Sequence, residues 1–201
     1  LCNSTMRYGP NQYFNTIDVF SVEKIEVLRG SGSVQYGSDA IGGTIHAFSY
    51  DPDTSAIPSW RSSLLTRFAT SRMEQSIRGG INYSNKRSAF RGGVTWRNFG
   101  VLIGGDTTGR QAPTGYGELD FDIKGKIHLS SSSLLTMVYQ NVHQSHIPVF
   151  HKVVLENYAI NEMDPQNREL VYLRLNQKFD AGVFKSAVFT ASYQHSEEGR
   201  K

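Results

Sequence analysis

Four histidines in the second half of the sequence have the clearest capacity for ligand chemistry. His128, His143, His146 and His151 cluster around one predicted strand and the loop that follows it. Imidazole nitrogens bind haem iron and transition metals, so His146 and His151, which flank residues 147–150, are candidate substrate contacts. Their spacing matches no compact zinc motif, and scattered loop histidines commonly have no ligand. The sequence therefore predicts a substrate contact here and no resident metal ion.

A glycine-rich segment near the start of the chain raises the question of phosphate binding. Glycines stand at positions 30, 32, 37, 42 and 43. A dinucleotide fingerprint beginning at Gly30 would need glycine where Gln35 stands. A P-loop beginning at Gly32 would need lysine where Ser38 stands. Neither nucleotide motif is present, and the glycines instead predict tight turns and close backbone packing.

The sequence contains no recognisable set of catalytic residues. Asp120 and Asp122 share one face of a predicted strand, but Lys124 and Lys126 follow on the same face. A solvated, charge-balanced surface is the simpler interpretation of these four residues. The serines at 130–133 predict a turn, with no histidine placed to activate a nucleophile. We therefore do not expect an enzyme.

Charge and hydropathy exclude two further classes. The chain of 201 residues has 21 Lys and Arg against 18 Asp and Glu, and the basic residues form no run. Nucleic acid is therefore not indicated as a partner. No segment approaches the roughly 18 consecutive apolar residues that a membrane-spanning helix needs.

From Trp60 onward, apolar and polar residues alternate with the period of two that is typical of two-faced strands. In the clearest case Leu119, Phe121 and Ile123 are separated by charged residues. The pattern predicts strands over residues 60–70, 75–84, 87–98, 117–130, 133–145, 168–180 and 184–196. Most reach the roughly 9 to 11 residues that cross a bilayer as a tilted strand.

The predicted connections alternate between short and long. Residues 85–86, 131–132 and 181–183 form short turns, whereas residues 99–116 and 146–167 form long loops at the opposite end of the sheet. Bacterial outer-membrane barrels have this asymmetry, with short periplasmic turns and long extracellular loops. Before the first strand, residues 51–59 contain two prolines and several turn formers, which predicts a linker.

The glycine-rich segment, read together with its flanking strands, resembles the end of the plug domain of TonB-dependent outer-membrane receptors. The family pattern is approximately E-[RK]-I-E-V-x-R-G-P-x-S-x-x-Y-G-x-x-A-x-G-G-x-I, which the chain follows over residues 23–45 with Ser31 in place of proline. The resemblance implies a mainly β fold. Residues 1–50 would be the C-terminal part of the plug, 51–59 a linker, and 60–201 the N-terminal antiparallel strands of a transmembrane β-barrel, which has 22 strands in this family.

This resemblance implies energy-coupled uptake of a scarce nutrient across the outer membrane of a Gram-negative bacterium. The expected cargo is an iron chelate, either a siderophore or haem, or else a haem protein. The iron chelate would be transported and would not be a cofactor of the receptor. The expected partners are the TonB–ExbB–ExbD complex and outer-membrane lipid, with the TonB box and signal peptide outside the present chain. Residues 9–13 and 32–43 are similar to the branch that includes haem, haemoglobin and transferrin receptors.

The resemblance also implies roles for individual residues. The segment before the first plug strand would form an apical loop that contacts cargo together with the histidine-containing loop. The candidate substrate contacts are Tyr8, Asn11, Gln12, Tyr13, His146 and His151. Arg29 would tie the plug to acidic residues of the barrel wall, and Glu26 lies in the same region of that strand face. A surface arginine and a solvated turn are the simpler alternatives at these positions.

Two other classes of protein would show part of the same pattern of strands and loops. A passive outer-membrane porin would have similar strands and loops but no use for a separate glycine-rich segment before the first strand. A secreted soluble β-domain that binds glycan or protein would also alternate, but its sheet should close on itself. Strands cut from a large barrel would leave open edges and an apolar face, which predicts aggregation in water.

Overall fold

The chain folds into two compact units, Leu1–Tyr50 and Asp51–Lys201. The structure is a computed structural model that describes residues 15–36, 42–180 and 182–201. Four of the predicted substrate contacts, Tyr8, Asn11, Gln12 and Tyr13, lie outside the described residues. Their assignment therefore stays a prediction.

The first unit contains a two-stranded antiparallel sheet. Strand β1 spans Val22–Arg29, the single-turn helix α1 spans Ser33–Tyr36, and strand β2 spans Gly43–Ser49. A 3-10 turn precedes β1, and the Asp18 carboxylate caps it by accepting a hydrogen bond from the Phe20 N–H at 2.9 Å. Gly30 follows β1 with a φ of +96°, a conformation that residues with a side chain rarely adopt. The turn predicted from the glycines begins there.

The second unit is built from long antiparallel strands. In chain order its elements are β3 (Ser59–Ala69), β4 (Glu74–Ser84), β5 (Ser88–Phe99), β6 (Leu102–Ile103), β7 (Arg110–Gln111), β8 (Tyr116–His128), β9 (Ser133–Ser145), β10 (Ile147–Pro148), α2 (Phe150–Leu155), β11 (Glu162–Lys178) and β12 (Ser186–Arg200). Among the residues that the structure describes, no helix has the length and hydropathy needed to cross a membrane.

The main strands of this unit lie in the order β12–β11–β9–β8–β5–β4–β3, each paired with its neighbours. Strands β6 and β7 pair with each other inside one long connection, and β10 pairs with the start of β11. Within the described ranges, β3 and β12 do not pair with each other, so the sheet has two open edges.

All seven strands predicted from the alternation are present, but β11 begins six residues earlier than predicted, at Glu162 instead of 168. The early part was missed because residues 162–167 are mostly polar and include Pro165. The register shifts between Met163 and Gln166, which is a bulge of the kind where proline is tolerated in a sheet.

The predicted asymmetry of the connections is confirmed except between β3 and β4, where residues 70–73 form a short connection at the end that carries the long loops. Residues 85–87 and 129–132 form short turns at one end of the sheet, which we call the turn end. Residues 100–115 and 146–161 form long connections at the other end, the loop end. His128 closes β8 at the turn end, whereas His143 and His146 lie at the loop end. The expectation that the four histidines cluster is therefore wrong for His128.

Local hydrogen bonds fix the register at the turn end. The Asn85 side-chain oxygen accepts hydrogen bonds from the backbone N–H groups of Arg87 and Ser88, both at 2.8 Å. An asparagine that binds backbone two and three residues ahead stabilises a tight turn. The turn holds β4 and β5 in a register that runs without a break from Glu74–Phe99 to Ser84–Ala89.

Candidate functional site

The long sheet has an apolar face and a polar face, and their exposures are the reverse of those in a water-soluble domain. On β8, Leu119, Phe121 and Ile123 are 40–49% exposed, whereas Glu118 and Asp120 are at most 4% exposed. The same division runs along β5. Soluble proteins bury apolar side chains and expose charges. We therefore expect the exposed apolar face to contact something other than water.

Charged side chains on the polar face are paired across neighbouring strands. Arg97 Nη1 on β5 lies 2.6 Å from Glu118 Oε1 on β8. Gln144 Nε2 on β9 donates a hydrogen bond to the other oxygen of Glu118 at 2.7 Å. The three residues lie directly opposite one another in the register. Because a buried charge is tolerated only when it is paired and hydrogen-bonded, these contacts tie three strands together.

A second ion pair on this face joins β4 to β8 across β5, and the arginine side chain passes over a glycine of β5. Arg78 Nη2 on β4 lies 2.6 Å from Asp122 Oδ1 on β8, and Arg78 Nη1 donates to Thr95 Oγ1 at 2.9 Å. The guanidinium passes over β5 at Gly93, which pairs with Asp122 in the register. A methyl carbon on Gly93 would lie 2.6 Å from the guanidinium carbon of Arg78, well inside the usual contact distance between carbons of roughly 3.5–4.0 Å.

Two lysines of β8 hold Asp51, the first residue of the second unit. Lys126 Nζ lies 2.5 Å from Asp51 Oδ2, and Lys124 Nζ contacts the other carboxylate oxygen. Partial burial alone would raise the pKa of Asp51. The hydrogen bonds and charges of the two lysines outweigh burial, so the pKa lies below its usual value of 3.8. The start of the predicted linker is therefore fixed to the polar face of the sheet.

These contacts correct the sequence interpretation of Asp120 and Asp122 as part of a solvated surface balanced by Lys124 and Lys126. Asp120 is 1% exposed and Asp122 pairs with Arg78, while both lysines bind Asp51. The sequence does not show which strands are neighbours, so partners on other strands could not be assigned from it.

At the loop end, His146 lies against two carboxylates of β11. His146 Nε2 is 3.6 Å from Asp164 Oδ2, and the ligand atoms of His146, Glu162 and Asp164 all lie within 4.8 Å of one another. Lys201 Nζ, just beyond β12, donates to the same Asp164 oxygen at 2.6 Å. His151 is exposed on α2 in the same connection.

Sequence analysis missed Glu162 and Asp164 as neighbours of His146. The signal that could have found them is their spacing of two in a strand, which places both carboxylates on one face. That signal is concealed because the polar residues and the proline within residues 162–167 predict a loop.

In the first unit, Arg29 and Glu26 are both exposed on β1. The pairing of β1 with β2 continues without a break from Lys24 to Arg29. Residues three apart in a continuous strand point to opposite faces, so the expectation that Arg29 and Glu26 share a face is wrong. Glu26 instead pairs with Lys24 at 2.6 Å. The roles of Arg29 and Glu26 in contacting a barrel wall stay predictions.

Residues 3–44 match the family model of the TonB-dependent Receptor Plug Domain. The predicted resemblance is supported over this segment, and a sheet of long antiparallel strands follows it. The chain is also 31% identical over 121 residues to the vitamin B12 transporter BtuB of Vibrio vulnificus strain YJ016. That match includes 53% of this chain and 18% of the relative, so the chain spans about a fifth of the relative's length.

The fold is also similar to solved structures of transporters and receptors. The copper transporter OprC gives a TM-score of 0.74 at 14% identity, covering 92% of this chain and 26% of that one. The siderophore receptor PirA from Pseudomonas aeruginosa gives a TM-score of 0.57 at 18% identity, covering 90% of this chain and 29% of that one. The relatives found are named as transporters or receptors, not as enzymes.

The Gly93→Ala substitution should break the Arg78–Asp122 ion pair, because the added methyl group occupies the path of the guanidinium. We expect the free energy of unfolding to fall by about 1–3 kcal/mol, as measured by urea unfolding of the purified protein. Gly79→Ala on β4 is the matched control, since a methyl group there meets no atom within 4 Å. Equal losses of stability in the two variants would show that Gly93 has no special role.

The pH dependence of stability should reveal the contact of Asp51 with the two lysines. Because the pKa of Asp51 is lowered in the folded protein, the carboxylate stabilises the fold above its usual pKa of 3.8 and loses this effect as pH falls through the lowered value. The difference in unfolding free energy between wild type and Asp51→Asn should therefore be constant near neutral pH and shrink below about pH 4. Asp53→Asn, at an exposed position two residues later, should follow the wild type. A difference between wild type and Asp51→Asn that persists in acid would contradict this account.

Proposed function

We propose that this chain forms part of a TonB-dependent outer-membrane receptor that imports a scarce nutrient with energy delivered by TonB, ExbB and ExbD. One observation carries the proposal. A plug-domain match over residues 3–44 is followed by a sheet of long strands whose exposed face is apolar and whose buried face is polar. A porin explains the strands but not the plug, and a soluble β-domain explains neither the plug nor the exposed apolar face.

The lengths and faces of the strands support a place in the outer membrane. The seven main strands have 11 to 17 residues, and roughly 9 to 11 are enough to cross a bilayer at a tilt. In such barrels the outward face is apolar and the inward face is polar. We propose that the open edges at β3 and β12 pair with further strands to close a barrel of about 22 strands.

In this proposal polar contacts would hold the plug to the barrel wall. A charge-assisted hydrogen bond from Arg29 to a wall carboxylate would hold the plug at rest and could still be broken when TonB pulls. Glu26 would contribute on the opposite face of β1. The contact of Asp51 with Lys124 and Lys126 would keep the start of the barrel unit fixed while the plug is pulled.

For the cargo we propose a metal chelate, and first of all an iron chelate such as a ferric siderophore or haem. The names of the relatives support a small cargo, since they include vitamin B12, copper and a siderophore. The exposed imidazoles of His146 and His151 in the long loop could bind iron. The proposed cargo contacts remain Tyr8, Asn11, Gln12, Tyr13, His146 and His151. A place in the branch of haem, haemoglobin and transferrin receptors is likewise a proposal.

Uptake measurements in cells test the proposal. Cells that express the full-length protein should accumulate one member of a panel containing ferric siderophores, haem, cobalamin and copper. Accumulation should fall to background when an uncoupler removes the proton-motive force or when TonB is deleted. Uptake that persists without the proton-motive force would favour a passive porin. If haem is the cargo, its absorption spectrum should shift on binding, and His146→Ala and His151→Ala should alter that shift.

A further inference from the structure

The cluster of His146, Glu162 and Asp164 at the loop end is organised around one strand. Glu162 and Asp164 are two residues apart at the start of β11, and their ligand atoms lie within 4.8 Å of each other. His146 immediately precedes β10, and β10 pairs with β11 through Ile147–Met163 and Pro148–Glu162. The cluster is therefore held by backbone pairing and not only by loose side chains.

The distances within the cluster suit a shared metal ion. Zinc binds imidazole nitrogen and carboxylate oxygen at about 2.0–2.2 Å, so two ligand atoms on a tetrahedral ion lie about 3.4 Å apart. His146 Nε2 and Asp164 Oδ2 are 3.6 Å apart, and the third ligand atom lies within 4.8 Å of both. Three ligands would be complete if these separations closed to about 3.4 Å.

The ligand types point to a class of metal. Carboxylates alone favour calcium, magnesium or manganese, whereas an imidazole beside them shifts the preference to zinc and copper(II). The His146 side chain is 70% exposed, so remaining coordination positions would be open to water or to an incoming ligand.

The positively charged side chain of Lys201 lies beside the cluster. Its ammonium group binds Asp164 Oδ2, the same oxygen that faces His146. Backbone hydrogen bonds of 3.0 Å in both directions between Lys201 and Glu162 hold it beside the cluster. This carboxylate pair therefore already attracts a cation, and a metal ion would have to displace the ammonium group.

We propose that His146, Glu162 and Asp164 form a binding site for a single divalent transition-metal ion, zinc or copper(II), for which Lys201 competes. The site does not depend on the proposed transport function, because it is defined by residues of the second unit alone. Loss of a ligand should therefore weaken metal binding, whereas loss of the Lys201 charge should strengthen it.

Metal titration of the full-length protein, purified in detergent without a histidine tag, tests the site. Calorimetry with zinc chloride or copper(II) chloride should reveal a site that His146→Ala, Glu162→Gln and Asp164→Asn each weaken. Removing a residue that only hydrogen-bonds to a metal ligand lowers the affinity for the metal by roughly 10- to 100-fold. Removing a residue that binds the metal directly should therefore lower it by at least about tenfold. Lys201→Met should strengthen binding about two- to fivefold, the scale of an exposed ion pair. His128→Ala, at an exposed histidine at the turn end of the sheet, is the control and should bind like the wild type.

Electron paramagnetic resonance of the copper(II) complex gives a second measurement, and its wild-type spectrum does not depend on how any variant folds. The wild-type spectrum should show coupling to the nitrogen of one imidazole, and His146→Ala should lose it while His128→Ala keeps it. Absence of nitrogen coupling in the wild type, equal weakening in His146→Ala and His128→Ala, or weaker binding in Lys201→Met would each overturn the proposal.

Discussion

The structure depends on the alternation of side chains across a sheet whose two faces meet different surroundings. Charged groups on the polar face are buried, and a buried charge without a partner is costly. Each pair, such as Arg97–Glu118, is therefore possible in one register only. A slip of one residue would move the charge to the apolar face and a large apolar side chain to the polar face. Ion pairing and alternation thus specify the same strand register.

This register also positions the parts that we connect with function. Gly93 lies where Arg78 must cross β5 to reach Asp122, and an added side chain would block that path. Lys124 and Lys126 project from the polar face of β8, where both reach Asp51. The linker attachment therefore uses the same alternation that separates the two faces.

Much of the fold could be predicted from the sequence because alternation is a local signal. The run from Leu119 to Ile123 defines its own strand and faces without reference to any other segment. Contacts between strands could not be predicted in the same way. The partner of Asp51 is 73 residues or more away in sequence, and the polar start of β11 concealed Glu162 and Asp164 behind an apparent loop. The plug was recognised because its glycines and strand residues form a long continuous pattern.

The central claim is that the exposed apolar face contacts lipid hydrocarbon. Spin labels placed one at a time at residues 118–123 of β8, in full-length protein reconstituted into lipid vesicles, test it most directly. The account predicts that collision with oxygen, which dissolves in lipid, is greatest at positions 119, 121 and 123, while a water-soluble nickel reagent is excluded there. Free access of the nickel reagent to these three positions, or no period of two along the strand, would contradict the account.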